Sequence, residues 1–174
     1  AGGHETSIER GEGPEEGIGQ EAAATLPRTT VMLRNLPRWL TRDNLLEALN
    51  RGGCFGLFDF LYVPVLFGSE LNFGYAFVNT VSQEASEHLR ARFRSFNRWD
   101  ANRVLTEEEA AGANVDSASA VQGWQANVQR FRNSPLMHPS SPDARRPIVL
   151  EHGVRVPFPP PTETIRAPRM RPRT

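Results

Sequence analysis

Lysine is absent from this 174-residue chain: all twenty basic residues are arginine, balanced by twenty carboxylates to a formal net charge of zero. Cysteine is nearly absent too. Cys54 stands alone, and the four histidines, His4, His88, His138 and His152, are scattered. Neither a disulfide framework nor a zinc site can be assembled from such a set, so no metal or cofactor is expected, and Cys54 reads as a small buried hydrophobe. No apolar run approaches the ~18 residues of a membrane span, and no charged-then-apolar segment opens the sequence, so no membrane partner is expected. No Ser/His/Asp or Cys/His set suggests a nucleophile, Gly52-Gly53 reads as a helix end rather than a phosphate-cradling loop, and the carboxylates gather in loops. The chain does not read as an enzyme. No internal repeat is present.

The zero charge is an average over unlike segments. Residues 1–27 carry six Glu and one Arg, residues 28–105 ten Arg and seven acids, residues 106–120 four acids, and residues 121–174 nine Arg and three acids. The centre and the C-terminal part are basic, which restores a nucleic-acid partner that the net charge alone argues against. Arg offers planar forks for phosphates and flat faces that stack on bases. A coding bias toward Arg accounts for the choice equally well.

The length allows one core of about a hundred residues plus tails. Residues 1–27, rich in Gly, Glu and Ala, bury too little to offset the entropy of ordering and are expected to form a disordered acidic leader. Thr29–Asn35 reads as a first strand. Thr41 then N-caps a helix carrying Leu45, Leu46 and Leu49, which Gly52-Gly53 ends. Leu57–Val63 alternates as a second strand, and Pro64 puts it on a sheet edge, where a missing N–H is tolerated. Leu71–Asn79 alternates strictly, with Phe73, Tyr75 and Phe77 on one face and Gly74, Ala76 and Val78 on the other. Ser82 caps a second helix with Ala85, Leu89 and Phe93 inward and Glu84, His88 and Arg92 wet. The fourth strand has two candidates, Arg103–Thr106 and Ala113–Ala118. After them, Ser119-x-x-Gln122 reads as a capping box opening a helix over about 119–133, with Val121, Trp124, Val128 and Phe131 on one stripe. Asn133-Ser134-Pro135 stops it. Residues 135–174 read as a Pro/Arg-rich extended tail that includes Pro157-Phe158-Pro159-Pro160-Pro161.

On its own, the aromatic row of Leu71–Asn79 fits a buried strand better than an exposed one. Val31-Met32-Leu33-Arg34-Asn35-Leu36, an apolar strand about forty residues upstream, changes that reading. The pair resembles the two RNP motifs of the RNA recognition motif (RRM). Against the octamer consensus, Gly74, Tyr75, Ala76, Phe77 and Val78 match, while Phe73 replaces the usual cation and Thr80 the last aromatic. Further segments make the resemblance more specific. Thr29 to Pro37, Phe58 to Pro64, Asn72 to Asn79, Val121-Gln122-Gly123, Arg130 to Ser134, Leu136-Met137, and Arg146 to Leu150 with Pro157-Phe158-Pro159 are similar to the C-terminal RRM of the Mei-two-like proteins, eukaryotic regulators associated with meiosis and development. That subfamily accepts Met at the Met32 position. Two departures stand out. Val115-Asp116-Ser117 lacks the aromatic usual in the fourth strand, with an acidic insertion around Thr106 to Gly112 before it. The single copy also offers no affinity gain from linked modules.

The resemblance implies an α+β, ferredoxin-like βαββαβ sandwich over residues 28–134. Its four-stranded antiparallel sheet would run in the order 4-1-3-2, with two helices on one face and the extra C-terminal helix. Single-stranded RNA on the open face, post-transcriptional regulation, and a place in the nucleus or cytoplasm follow from the same resemblance. In that fold the period of two turns Met32, Arg34, Phe73, Tyr75, Phe77 and Asn79 to the open face, with Phe60 and Tyr62 beside them, while Val31, Leu33, Leu61, Val63, Ala76 and Val78 look inward. Tyr75 and Phe77 are the expected stacking residues. Met32, Arg34, Tyr62, Phe73 and Asn79 complete the expected RNA-binding set, Arg34 for a phosphate or base edge and Asn79 for a polar contact. A solvated strand face is the alternative for Arg34 and Asn79, and packing under a loop the alternative for Phe73. The helix with Trp124 must bury its stripe, because an isolated helix of this length is marginal. Lying across Tyr75 and Phe77 it closes the platform and makes the module a protein-binding one; at the sheet edge it makes Trp124 a core residue. The Pro-rich tail is either a docking segment for a protein partner or a spacer. Arg166 to Arg173 suits non-specific phosphate attraction.

Overall fold

The computed structural model describes residues 26–169; the acidic leader up to residue 25 and the end of the arginine-rich segment lie outside them. Six strands form one antiparallel sheet in the order β4-β1-β3-β2-β5-β6. Its first four strands are β1 (Thr30–Arg34), β2 (Phe58–Tyr62), β3 (Tyr75–Thr80) and β4 (Asn114–Asp116). They keep the 4-1-3-2 order and the βαββαβ succession of the RRM fold. On one face, Val31, Leu33, Leu61, Ala76 and Val78 are fully buried against Leu45, Leu49, Leu89 and Phe93 of the two helices.

Those helices begin where their caps predict. α1 (Arg42–Leu49) starts at Thr41, whose hydroxyl accepts from the Asn44 N–H at 3.1 Å. α2 (Gln83–Phe93) starts at Ser82, which accepts from the Ala85 N–H at 3.0 Å. α1 runs on into a wider turn, Asn50–Cys54, which Gly53 leaves at φ 92°. Gly52 is packed so closely that a Cβ there would lie 2.5 Å from the Phe93 ring. The acidic run forms a short helix, α3 (Glu107–Ala110), rather than a strand extension: Thr106 and Glu109 close a capping box, and three carboxylates sit at the positive end of the helix. The fourth strand is therefore the later candidate.

Three expectations are corrected. Ser119-x-x-Gln122 does not cap the next helix: α4 (Trp124–Arg132) is entered from Gly123 at φ 92°, with no side-chain cap. The Gln122 amide is engaged with the backbone of Thr30 instead. Pro64 does not mark a sheet edge, since β2 is flanked by β3 and β5 and Pro64 lies beyond its end. Residues 135–174 are not simply an extended tail either. Two 3-10 turns (Pro135–Met137 and Asp143–Arg145) lead to β5 (Ile148–Glu151) and β6 (Val154–Val156), so the sheet runs past residue 134. His152 and Gly153 join them with φ of 50° and 83°, the doubly left-handed turn that matches strand twist.

The added hairpin is clamped to the older part of the fold by charge. Arg42 is 4% exposed, and its guanidinium donates to the Arg146 carbonyl at 3.0 Å and pairs with Asp143 Oδ2 at 3.1 Å. Arg155 of β6 holds both oxygens of the same carboxylate, at 2.7 and 3.0 Å. The hydrogen bonds from Arg155, seconded by those from Arg42, hold the Asp143 carboxyl well below the usual carboxylate range. Its stabilisation is therefore present above the unfolded value of about 3.9 and is lost as pH falls below it. Thermal melts of Asp143→Asn should show a lower Tm than wild type at pH 7, with the gap narrowing steadily toward pH ~2.

Candidate nucleic-acid interface

The second face of the sheet is ordered by register into three rows. Thr30, Asn79, Phe60, Val149 and Val156 stand side by side across five strands; Asp116, Met32, Phe77 and Tyr62 form the next row; Asn114, Arg34 and Tyr75 form the last. Burial falls along the same direction. Thr30, Phe60, Val149 and Asn79 are at most 2% exposed, Met32, Phe77 and Tyr62 are half-buried, and Arg34 is open.

The gradient comes from α4, which lies over one end of this face. Val128 is buried with Phe60 and Val149. Phe131 stacks on Phe60 at 5.9 Å between centroids and tilts against Tyr62 at 4.5 Å. Phe158, from the Pro-rich segment, joins the same cluster. That segment is anchored: Arg132 donates to the Pro160 carbonyl at 2.7 and 3.0 Å, and Asn133 bonds Thr162. Trp124 remains 38% exposed at the start of α4 and is not a core residue. The helix thus neither seals the platform nor retires to the sheet edge.

Phe60 reaches the covered face because of a bulge. Phe58 pairs with Thr80 and Phe60 with the adjacent Asn79, leaving Asp59 as the extra residue. Phe58 packs under the helices, whereas Phe60 packs under α4. Beneath α4 runs a chain of polar contacts. Asn79 Nδ2 donates to Asp59 at 2.8 Å, and Asn79 Oδ1 accepts from the hydroxyls of Thr29 and Thr30 at 2.8 and 2.9 Å. The Thr30 hydroxyl in turn accepts from Asn127 and from the Gly123 N–H, both at 3.0 Å. Asn79, expected at the RNA surface, is therefore committed to the fold: it faces the predicted side, but α4 covers it and every polar atom of its side chain is used.

The other six expected residues are brought together. Phe73, Tyr75 and Phe77 form a continuous row, with centroids 6.2 and 5.7 Å apart. Gly74, at φ 87°, turns the chain so that the strand begins only at Tyr75, and Phe73 stands 40% exposed at its mouth. Met32 lies opposite Phe77 and Arg34 opposite Tyr75. Arg34 pairs with Asp116 at 3.2 Å, an exposed contact that an incoming phosphate can replace at little cost.

Two cations were not anticipated. Arg38 stands near the start of β3, where a Cβ on Gly74 would lie 3.3 Å from its Nε, and is a cation close in space to the octamer position that Phe73 occupies. Arg130, exposed on α4, lies 5.7 Å from the Phe131 ring centre. Burial raises the pKa of the Tyr62 hydroxyl, Tyr75 adds to the rise, and Arg130 opposes it. The Gly at 74 was visible in sequence; the Arg34–Asp116 ion pair was not, because the place of the fourth strand was open, and the arrival of Arg130 depends on the path of α4. Among the described residues no group of three or more His, Cys, Asp or Glu forms a metal site, and no helix is long and apolar enough to cross a membrane.

A family profile described as RNA recognition motif 2 matches residues 28–132, and the chain belongs to that family. Within it, the similarity to Mei-two-like proteins is borne out by curated relatives. It is 36% identical over 126 residues to Protein MEI2-like 3 of Arabidopsis thaliana, which covers 72% of this chain and 15% of the relative. It is 33% identical over 138 residues to Protein MEI2-like 2 of Oryza sativa subsp. japonica, covering 76% and 15%. It is 30% identical over 154 residues to Meiosis protein mei2 of Schizosaccharomyces pombe, covering 84% and 19%. The chain thus spans less than a fifth of the length of these relatives. Among solved structures, the RRM3 domain of Mip6 matches with a TM-score of 0.35 and 16% identity, over 53% of this chain and 96% of that one.

Two measurements check the docking of α4. Thr30→Val removes the acceptor of the Gly123 N–H and one of the two acceptors of the Asn127 amide, and should lower the unfolding free energy by about 1–3 kcal/mol per N–H left unpaired, read from urea titration. Burial pushes the Asp59 carboxyl up to about 6, against the hydrogen bond from Asn79. The protonated acid is therefore favoured in the fold, so this contribution is full below about pH 4 and is lost as pH rises through 6. Asp59→Asn, which keeps the acceptor for Asn79, should melt higher than wild type at pH 8 and alike at pH ~4.

Proposed function

We propose that the chain binds single-stranded RNA on the uncovered end of its sheet, as a binding module rather than an enzyme, and serves post-transcriptional regulation in the nucleus or cytoplasm. The observation that carries this reading is the uninterrupted aromatic row Phe73, Tyr75 and Phe77, left accessible by a helix that covers only the other end. Bases stack on Tyr75 and Phe77, with Phe73 extending the row, and each stacked base contributes ~1–3 kcal/mol whatever its sequence. Arg34, opposite Tyr75, and the exposed Arg130 on α4 offer guanidinium groups suited to phosphates and base edges. Tyr62 and Met32 form the floor between the open and covered ends. A second reading, a protein-interaction module, draws on the complete burial of Phe60 under α4.

Anisotropy titration of labelled single-stranded RNA pools separates the two. Tyr75→Ala/Phe77→Ala should weaken binding at least about tenfold while circular dichroism shows the fold retained. Binding equal to wild type at moderate salt would assign any affinity to the arginine-rich end and remove stacking as the mechanism.

A further inference from the structure

Beyond Tyr62 the platform opens into a cavity of about 370 Å³ between the β2–β3 loop and the 3-10 turns that precede β5. Tyr62 and Phe67 give it aromatic walls, Leu136 and Pro168 aliphatic ones, and Ser141 and Arg145 polar groups. Its size lies at the lower end of small-ligand sites, suited to a single heterocycle. Ser141 is 7% exposed and lines the cavity. Arg145 donates one N–H to the Ser69 carbonyl at 2.9 Å, and the rest of its fork has no acceptor among the described residues.

We propose that this cavity receives one base of the bound RNA, extruded from the row that stacks on Tyr75 and Phe77; the inference rests on the RNA-binding reading above. Continuity argues for it. Tyr62 lies opposite Phe77 in the sheet and also lines the cavity, so a strand crossing the row meets the opening at its next nucleotide. Chemistry argues for it as well. A flat heteroaromatic ring matches the faces of Tyr62 and Phe67, its edge can bond to Ser141, and its phosphate can satisfy Arg145. An aliphatic side chain from a protein would fill the apolar walls but offer the Arg145 fork no acceptor, which is costly. Phe67 is 56% exposed, an aromatic wall open to solvent.

The test is a length series of labelled random-sequence single-stranded RNA, from about four nucleotides upward, titrated by anisotropy against the full chain. Two variants alter the cavity at exposed positions: Phe67→Ala removes a wall, and Ser140→Trp, at another lining residue, fills the space. Wild type should gain about tenfold in affinity at the length that reaches the cavity, a step that both variants lose while binding the shortest RNA as wild type does. Tyr75→Ala/Phe77→Ala should weaken every length. If both cavity variants follow the wild-type curve while the platform variant fails, the base site is overturned and the RNA reading stands; the cavity is then left to a protein side chain. If wild type binds no RNA of any length, both are overturned.

Discussion

The face of the sheet available to a ligand depends on how Thr30 is satisfied. β4 has three residues and pairs with Met32, Leu33 and Arg34, so it stops short of Thr30 and leaves that residue's backbone groups open on one side. Buried N–H and C=O groups must find partners. The Gln122 side chain supplies both, accepting from the Thr30 N–H at 3.0 Å and donating to its carbonyl at 3.1 Å. With Gln122 tied there, Gly123 must turn the chain in a conformation that glycine tolerates, and α4 starts directly over the Thr30 hydroxyl. A longer β4 would remove the need for Gln122 and with it the reason for α4 to come down where it does.

The helix also needs a floor. In a sheet ending at β2, Phe60 would be the last residue of its row, and Val128 would overhang water. β5 and β6 extend that row with Val149 and Val156, so the apolar stripe of α4 meets a continuous surface. This explains why the ion-paired cluster of Arg42, Asp143 and Arg155 matters to a binding surface it does not touch: it holds the hairpin that supports the helix that limits the platform.

How much of this was legible in the sequence differs by element. The two-residue period placed every side chain of β1 and β3 on its correct face, and Thr41 and Ser82 announced their helices, because these are local effects. Exposure is not local. Asn79 faces as its period dictates yet is unavailable, because α4 arrives from more than forty residues downstream. Gln122 shows the same limit from the other side. Its spacing from Ser119 matches a capping box, but the stronger partner was a strand backbone 92 residues away. The β5–β6 hairpin did leave a trace, an Ile-Val-Leu run and a Val-Arg-Val alternation around His152-Gly153, which the surrounding Pro and Arg obscured. Asp59's bulge left none, since nothing in Phe-Asp-Phe distinguishes a bulged strand from a regular one.

The two outer strands of the completed sheet are both brief: β4 and β6 have three residues each. Unpaired strand edges are templates on which other chains add, and shortness is one of the ways in which proteins blunt them. Here the added hairpin exchanges the five-residue flank of β2 for the three-residue flank of β6, with Arg155 on it already held by Asp143. Self-association through strand addition is thereby disfavoured at both ends of the sheet.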